Sequence, residues 1–149
     1  MAPIRRAVPA DCADIAVLIQ QYWAFENIEG FNQDRIVVLL QKFVARPEQG
    51  CCWVAGSKGV PRGYLLATFL FSLEFGGTMA EIDELFVLPE FRADGLGSRL
   101  VEKAVTQMQR SGLVHVQLQL GARNLRAREF YRRQGFTSRC GYELLGRQL

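Results

Sequence analysis

A run of β-forming residues leads through two closely spaced glycines into a helix, and this junction constrains the fold most strongly. The run covers residues 79–88, the glycines are Gly95 and Gly97, and helical periodicity continues to Arg110. A helix N-terminus presents unpaired N–H groups and a partial positive charge, and glycine lets a ligand approach the backbone closely. The spacing matches neither the GxGxxG fingerprint of dinucleotide-binding folds nor the GxxxxGK of P-loops. The junction therefore predicts an α/β chain with an anion-binding turn after a strand.

The order of the apolar patterns predicts a single domain over residues 1–149. Strand and helix patterns follow one another as β-α-α-β-β-β-α-β-α-β, which is typical of an α/β fold with a mixed sheet and helices on both faces. The last helix is predicted over residues 124–134, between strands over residues 113–120 and 136–145.

Charge is distributed unevenly along the chain. Residues 1–90 carry a net charge of −4 and residues 91–149 a net charge of +7, and 15 of the 18 basic residues are arginines. The planar guanidinium of arginine suits phosphate, so the pattern predicts one half that attracts cations and another that attracts anions. The same pattern is also typical of solvated helix surfaces. The basic half lacks the interleaved aromatic and basic residues of nucleic-acid-binding modules, so no nucleic-acid partner is predicted.

No segment predicts a membrane span or a secretion signal. The longest uncharged apolar stretch, residues 64–73, is shorter than the roughly 20 residues that a spanning helix needs. The basic residues at the start are not followed by an apolar run. The four cysteines form no CxxC pair and no zinc spacing with the single His115. We therefore expect a cytoplasmic protein with reduced cysteines, no metal and no membrane partner.

A second motif follows Gly121, where a predicted helix carries three small or polar side chains at helical spacing. Asn124, Ala127 and Tyr131 stand at i, i+3 and i+7, which places an amide, a methyl group and a phenol on one face. Phe130, next to Tyr131, fits a core position better. The shared face predicts that Tyr131 borders a ligand rather than the core.

The two motifs together resemble those of the GCN5-related N-acetyltransferase (GNAT) superfamily. Residues 85–97 read LFVxPxFRxxGxG, similar to the acetyl-CoA motif of the superfamily. Residues 124–136 read NxxAxxFYxxxGF, similar to its second cofactor motif. The order of elements is similar over nearly the whole chain, whereas the specific motifs lie between residues 81 and 136. Two motifs in the expected order and at the expected separation are more specific than either one alone.

The resemblance implies direct transfer of an acetyl group from acetyl-CoA to a primary amine, without a metal and without a covalent acyl-enzyme. Backbone groups at the strand end would hold the pantetheine arm and polarise the thioester carbonyl, and Tyr131 would protonate the departing thiolate. Loop N–H groups would bind the pyrophosphate. The implied cofactor-binding residues are Phe86, Val87, Arg92, Ala93, Asp94, Gly95, Leu96, Gly97, Ser98, Asn124, Ala127 and Tyr131.

The attacking amine must be neutral, so the site needs a base or a water route to one, and the strand before the loop offers two candidates. Regular alternation places Glu81 and Asp83 on one face and Glu84 on the other, where we expect Glu84 to be a structural hydrogen-bonding or ion-pairing residue. By the resemblance, Glu81 matches the base of the histone-acetylating branch and Asp83 the acid of the polyamine-acetylating branch. The aromatic and acidic residues 22–31 would complete a pocket for a small cationic amine. The choice between the two acids stays open.

One residue departs from the superfamily pattern. Asp94 stands where a basic or amide residue is usual, and its carboxylate is unfavourable beside a pyrophosphate unless the side chain turns outward, toward Arg99. Asp94 therefore favours one alternative, a non-catalytic acyl-CoA-binding domain of the same fold. A second alternative is a peptide or protein amine as acceptor. The resemblance also allows a homodimer.

Overall fold

A computed structural model describes all residues, Met1 to Leu149, and the chain packs as two units, residues 1–119 and 120–149. The first unit contains strands β1 (Ile4–Arg6), β2 (Gly50–Ser57), β3 (Val60–Ser72), β4 (Gly77–Val87) and β5 (Val116–Leu118), and helices α1 (Cys12–Phe25), α2 (Gln33–Val44) and α3 (Leu96–Arg110). The second unit contains helix α4 (Leu125–Arg133). None of the helices is both long and apolar enough to span a bilayer.

The five strands form one sheet in the order β1-β2-β3-β4-β5. The first four strands are antiparallel. β5 pairs with β4 in parallel because α3 returns the chain to the end of the sheet where β4 begins. Gly59 and Gly76 have φ values of 79° and 83°, a conformation that glycine adopts without strain, and they form the two hairpin turns. The predicted mixed sheet is confirmed.

Helices cover both faces of this sheet, as predicted. Cys52 and Val54 of β2 point into a core with Ile15 of α1 and Leu40 of α2. The alternate residues of β2 point the other way, where Trp53 lines a cavity with residues of α3. Along α3 the buried side chains recur at helical spacing: Leu96, Leu100, Val101, Ala104 and Met108.

The prediction of a last strand over residues 136–145 is wrong. Residues after α4 form turns and irregular backbone, and Tyr142, Leu144 and Leu145 are exposed. A strand needs a neighbouring strand for its hydrogen bonds, and the second unit contains none. Gly141, with a φ of 87°, also interrupts any extended run. The strand predicted over residues 113–120 is shorter than expected, because only Val116–Leu118 pair with β4.

An ion pair between a buried carboxylate and a partly exposed guanidinium connects the start of the chain to the first helix. Asp11 is 4% exposed. Its carboxylate accepts hydrogen bonds from the two terminal guanidinium nitrogens of Arg5, at 2.7 and 2.8 Å, and from the Val8 N–H at 2.8 Å. The hydrogen bonds from Arg5 lower the pKa of Asp11 in the folded state. Asp11 therefore connects β1 to the start of α1.

We expect Asp11→Ala to lower the free energy of unfolding by about 2–3 kcal/mol, because the Arg5 guanidinium and the Val8 N–H lose their acceptor. In the parent chain this contribution is complete above the unfolded aspartate pKa of about 4 and is lost as the pH falls through the lower folded-state pKa. Urea unfolding of parent and variant at neutral and acidic pH measures both effects. Equal stability at neutral pH would contradict the assigned role.

Candidate functional site

The strand β4 is paired along only part of its β5 side. β3 pairs with β4 from Gly77 to Val87, whereas β5 pairs only with Ala80, Glu81 and Ile82. Beyond Ile82 the β5 side of β4 has no neighbouring strand, and we call residues 83–87 on that side the open edge. Backbone N–H and C=O groups along an open strand edge can hydrogen-bond an extended ligand. The open edge contains Phe86 and Val87, the two residues predicted to hold the pantetheine arm.

A β-bulge in β4 changes which acidic side chains share a face. Glu84 is paired with Leu66 and Ile82 with Ala67, so Asp83 is an extra residue without a partner on β3. Glu81 is paired with Thr68, two residues from Leu66, so Glu81 and Glu84 lie on the same face of the sheet. The predicted alternation, with Glu84 on the opposite face from Glu81, is therefore wrong.

The segment after β4 turns into a helix, as predicted for a phosphate-binding loop. Pro89–Asp94 form a short 3₁₀ helix, and Gly95 adopts a left-handed conformation with a φ of 71° before α3 begins at Leu96. The Arg99 N–H donates to the Gly95 carbonyl. The first turn of α3 therefore directs its N–H groups back toward the loop, as an anion site requires. Of the predicted loop residues, Arg92, Ala93, Asp94 and Gly95 lie in this connection, and Leu96, Gly97 and Ser98 form the first turn of α3.

The side chain of Arg92 contacts the end of β4 and two aromatic rings. Its Nε donates to the Val87 carbonyl at 2.8 Å, and its guanidinium lies 5.4 Å from the ring centre of Phe86 and 5.6 Å from that of Phe25. These contacts fix the carbonyl at the end of the open edge and join it to the end of α1. Arg92 therefore shapes the strand end with its side chain, and its backbone belongs to the loop.

Asp94 lies beside two arginines without forming an ion pair. Asp94, Arg62 and Arg99 line one cavity of about 300 Å³ at the start of α3. The Arg62 guanidinium lies 4.5 Å from the ring centre of Phe91, and Arg99 contacts the Met1 sulfur. The predicted pairing of Asp94 with Arg99 is not formed, although both side chains border the same space.

The two candidate bases have different surroundings. The Glu81 carboxylate accepts hydrogen bonds from the side-chain amides of Gln117 at 3.0 Å and Gln119 at 3.4 Å. No side-chain hydrogen bond holds the Asp83 carboxylate, and desolvation together with the charge of Glu81 raises its pKa. A raised pKa brings a carboxylate closer to the basicity that proton transfer requires.

Glu84 accepts hydrogen bonds, as the sequence predicts, but the sequence does not predict its partners. One of its carboxylate oxygens accepts the Trp23 indole N–H and the other accepts the Tyr64 hydroxyl, both at 2.8 Å. Burial raises the pKa of Glu84, and the same burial and the Glu84 charge raise the pKa of Tyr64. Trp23 is 61 residues away in sequence, so no local pattern reports the contact.

The second motif forms a compact helix start in the second unit. The Asn124 side chain caps α4 by accepting the Ala127 N–H at 3.1 Å. Tyr131 packs edge-on against Phe130 and Phe136, with ring centres 5.0 and 5.6 Å apart. The Phe136 N–H donates to the Tyr131 carbonyl at 3.0 Å. The amide of Asn124 therefore organises the helix start, and the aromatic neighbours hold the Tyr131 ring.

Comparison with known proteins decides the family. A model of the acetyltransferase (GNAT) family matches residues 15–136. The chain belongs to the GNAT family. The predicted family and its N-acetyltransferase class are thereby confirmed, and the matched range includes both motifs.

Individual GNAT relatives and structures agree with this assignment. An uncharacterized N-acetyltransferase of Archaeoglobus fulgidus is 34% identical, over 88% of this chain and 90% of the relative. Thialysine N-epsilon-acetyltransferase of Bos taurus is 26% identical, over 89% of this chain and 82% of the relative. A solved aminoglycoside acetyltransferase from a soil metagenomic sample, in complex with sisomicin, shares the fold, with a TM-score of 0.81, 20% identity and coverage of 99% and 96%.

Proposed function

We propose that this GNAT protein transfers an acetyl group from acetyl-CoA to a primary amine of a small cationic acceptor. The observation that carries the proposal is the open edge of β4, which continues directly into the 3₁₀ turn, Gly95 and the start of α3. An extended arm and a diphosphate are the two parts of acetyl-CoA that such an edge and such a helix start suit. The reaction would take place in one domain formed by residues 1–149.

The proposed contacts of acetyl-CoA follow the chain from strand to helix. Backbone groups of Phe86 and Val87 would hydrogen-bond the pantetheine arm, and an N–H of the open edge would polarise the thioester carbonyl. Preorganised donors aimed at a developing oxyanion are usually the largest catalytic contribution. N–H groups of the loop, residues 92–98, would bind the pyrophosphate. From the motif resemblance, Asn124 and Ala127 are proposed to line the arm.

The proposed acceptor is a cation because acidic and aromatic groups surround the strand. Glu81, Asp83 and Glu84 follow one another within four residues of β4. Trp23 and Phe31, from α1 and the connector that follows it, pack edge to face with ring centres 5.9 Å apart. Carboxylates and aromatic faces both attract ammonium groups. Two of the proteins compared above are named for cationic amine substrates, thialysine and an aminoglycoside.

The proposed proton route uses one acid of β4 and one phenol. The neutral amine nitrogen attacks the thioester carbon, a C–N bond forms, and Asp83 accepts the proton that the nitrogen loses. The C–S bond then breaks, and Tyr131 donates its hydroxyl proton to the coenzyme A thiolate. Asp83 is preferred to Glu81 because the Glu81 carboxylate already accepts two amide hydrogen bonds. The role of Tyr131 rests on the motif resemblance.

A second candidate function keeps acyl-CoA binding without catalysis. It is favoured by Asp94, whose unpaired carboxylate at the start of α3 disfavours a bound diphosphate. A peptide or protein amine is the other alternative acceptor. A cytoplasmic location and a homodimer stay predictions from the sequence.

Thiol release from acetyl-CoA, measured with a panel of amines, tests the proposed function. We expect turnover with small cationic amines, and we expect acetyl-CoA alone to raise the melting temperature, since a ligand that binds only the folded state stabilises it. The panel should include a peptide with a free N-terminal amine, and a primary amine without any further charged group, as comparison acceptors. Stabilisation by acetyl-CoA without turnover would favour the binding-only alternative. Turnover confined to peptides would favour a peptide or protein amine as the acceptor.

A further inference from the structure

Glu84 is a half-buried carboxylate that the proposed proton route does not use. Its two hydrogen-bond donors, Trp23 and Tyr64, are both neutral groups. The ion pairs of the chain involve Asp11 and Glu129, and none involves Glu84. A partly desolvated carboxylate without a counter-charge is unfavourable, and a cationic ligand would relieve that cost.

The groups around Glu84 are aromatic. The Trp23 ring packs edge-on against Phe31, and the Tyr64 ring lies 6.5 Å from that of Phe86. Tyr22 packs edge-on against the same Phe86, at 6.2 Å. Aromatic faces attract cations and exclude water, which strengthens a charge–charge interaction beside them. A carboxylate within such a group suits an alkylammonium ion better than a hydrated metal ion.

Glu84 follows the proposed base, Asp83, directly in the chain, at the bulge of β4. Their Cα atoms are about 3.8 Å apart, a separation that one small diamine can span. Glu81 lies on the same face as Glu84, so two carboxylates of β4 share that face. We infer that Glu84 binds the second ammonium group of a diamine, while the first amine is acetylated beside Asp83. This inference rests on the proposed function and makes its substrate class more specific.

Glu84→Gln is the variant that tests this inference. A glutamine side chain has the same shape, and it can accept the Trp23 N–H with its oxygen while its NH₂ donates to the Tyr64 hydroxyl. The variant therefore removes charge with little change in packing. Circular dichroism and a thermal melt verify the fold, and Glu84→Asp, which keeps the charge, provides a second variant if the first is unstable.

The measured quantity is the diamine preference, defined as kcat/KM for a diamine divided by kcat/KM for the monoamine of equal length. Diaminobutane is compared with butylamine and diaminopentane with pentylamine, at one pH. We expect the parent chain to prefer diamines about tenfold or more, and Glu84→Gln to lower the preference by a factor of about ten or more. Because it is a ratio, the preference cancels any general loss of activity.

Two further variants separate recognition of charge from structural support. Tyr64→Phe removes one hydrogen bond to Glu84 but keeps its charge, so the diamine preference should survive. Glu102→Gln removes an exposed charge from α3 and is a matched control for net charge. If Glu84→Gln lowers kcat/KM equally for the diamine and the monoamine, Glu84 is structural and the inference is wrong. The same holds if Tyr64→Phe lowers the diamine preference as strongly as Glu84→Gln does. Turnover without any diamine preference in the parent chain overturns this inference alone, whereas no turnover with any amine overturns the proposed function as well.

Discussion

Asp83→Asn should lower kcat/KM by a factor of about 10²–10⁴, the usual contribution of a positioned general base. The amide keeps the size of the side chain and cannot accept the amine proton. Asp83 is the extra residue of the β4 bulge, its carboxylate has no side-chain donor, and burial raises its pKa. These features leave the carboxylate available to a substrate and more basic than an ordinary aspartate. Steady-state kinetics with the best amine of the panel measure the loss.

The pH dependence of the same reaction gives a second, independent readout. Below the raised pKa of Asp83 both the carboxylate and the amine are protonated, so log kcat/KM should rise with pH with a slope of about two. Above that pKa only the amine still needs to lose a proton, and the slope falls to about one. In Asp83→Asn the slope should be about one throughout, because only the amine titrates.

Glu81→Gln and Asp34→Asn complete the comparison. Glu81 accepts two amide hydrogen bonds, so Glu81→Gln should cost less than Asp83→Asn; Asp34, exposed at the start of α2, is a matched control for loss of an aspartate charge. A larger loss in Glu81→Gln would assign the base to Glu81. Small losses in both variants would indicate that water carries the proton.

Local patterns were sufficient to predict most of the fold. The helical spacing of apolar residues predicts α1 and α2, and Gly95 marks the start of α3 because its φ of 71° suits glycine. The strand predicted over residues 136–145 is absent because strand formation depends on a partner strand, and β propensity alone does not supply one. Pairing partners are non-local, so sequence reasoning predicts strand formation less reliably than helix formation.

The site shows the same division between local and non-local information. The strand, the loop and the helix start lie in one continuous segment, and their order could be predicted from the glycines and the apolar run. The bulge at Asp83 could not, because it depends on how β3 and β4 align, and a shift of one residue reverses the face of every later side chain. Regular alternation therefore predicts the wrong face for Glu84 relative to Glu81, and no local pattern predicts its contacts with Trp23 and Tyr64.

Tyr131→Phe should lower kcat by a factor of about 10²–10⁴ with a smaller change in KM, because the variant loses the hydroxyl group that donates the proton and keeps the ring. The ring contacts with Phe130 and Phe136 remain, so α4 should keep its structure. A thermal melt and circular dichroism verify this point. Tyr142→Phe is the matched control, since Tyr142 is 70% exposed and its hydroxyl accepts only a surface hydrogen bond from Arg139.

The leaving group distinguishes a proton donor from a merely supporting side chain. If Tyr131 protonates the departing thiolate, acetyl thioesters of more acidic thiols need this proton less, because their thiolates are already stable in water. The ratio of parent to Tyr131→Phe rates should therefore fall steadily as the pKa of the leaving thiol falls. A tyrosine that only packs against the substrate would lower all of these rates by the same factor. An unchanged kcat with acetyl-CoA itself would remove Tyr131 from the mechanism and leave the thiolate to depart unprotonated or to take its proton from water.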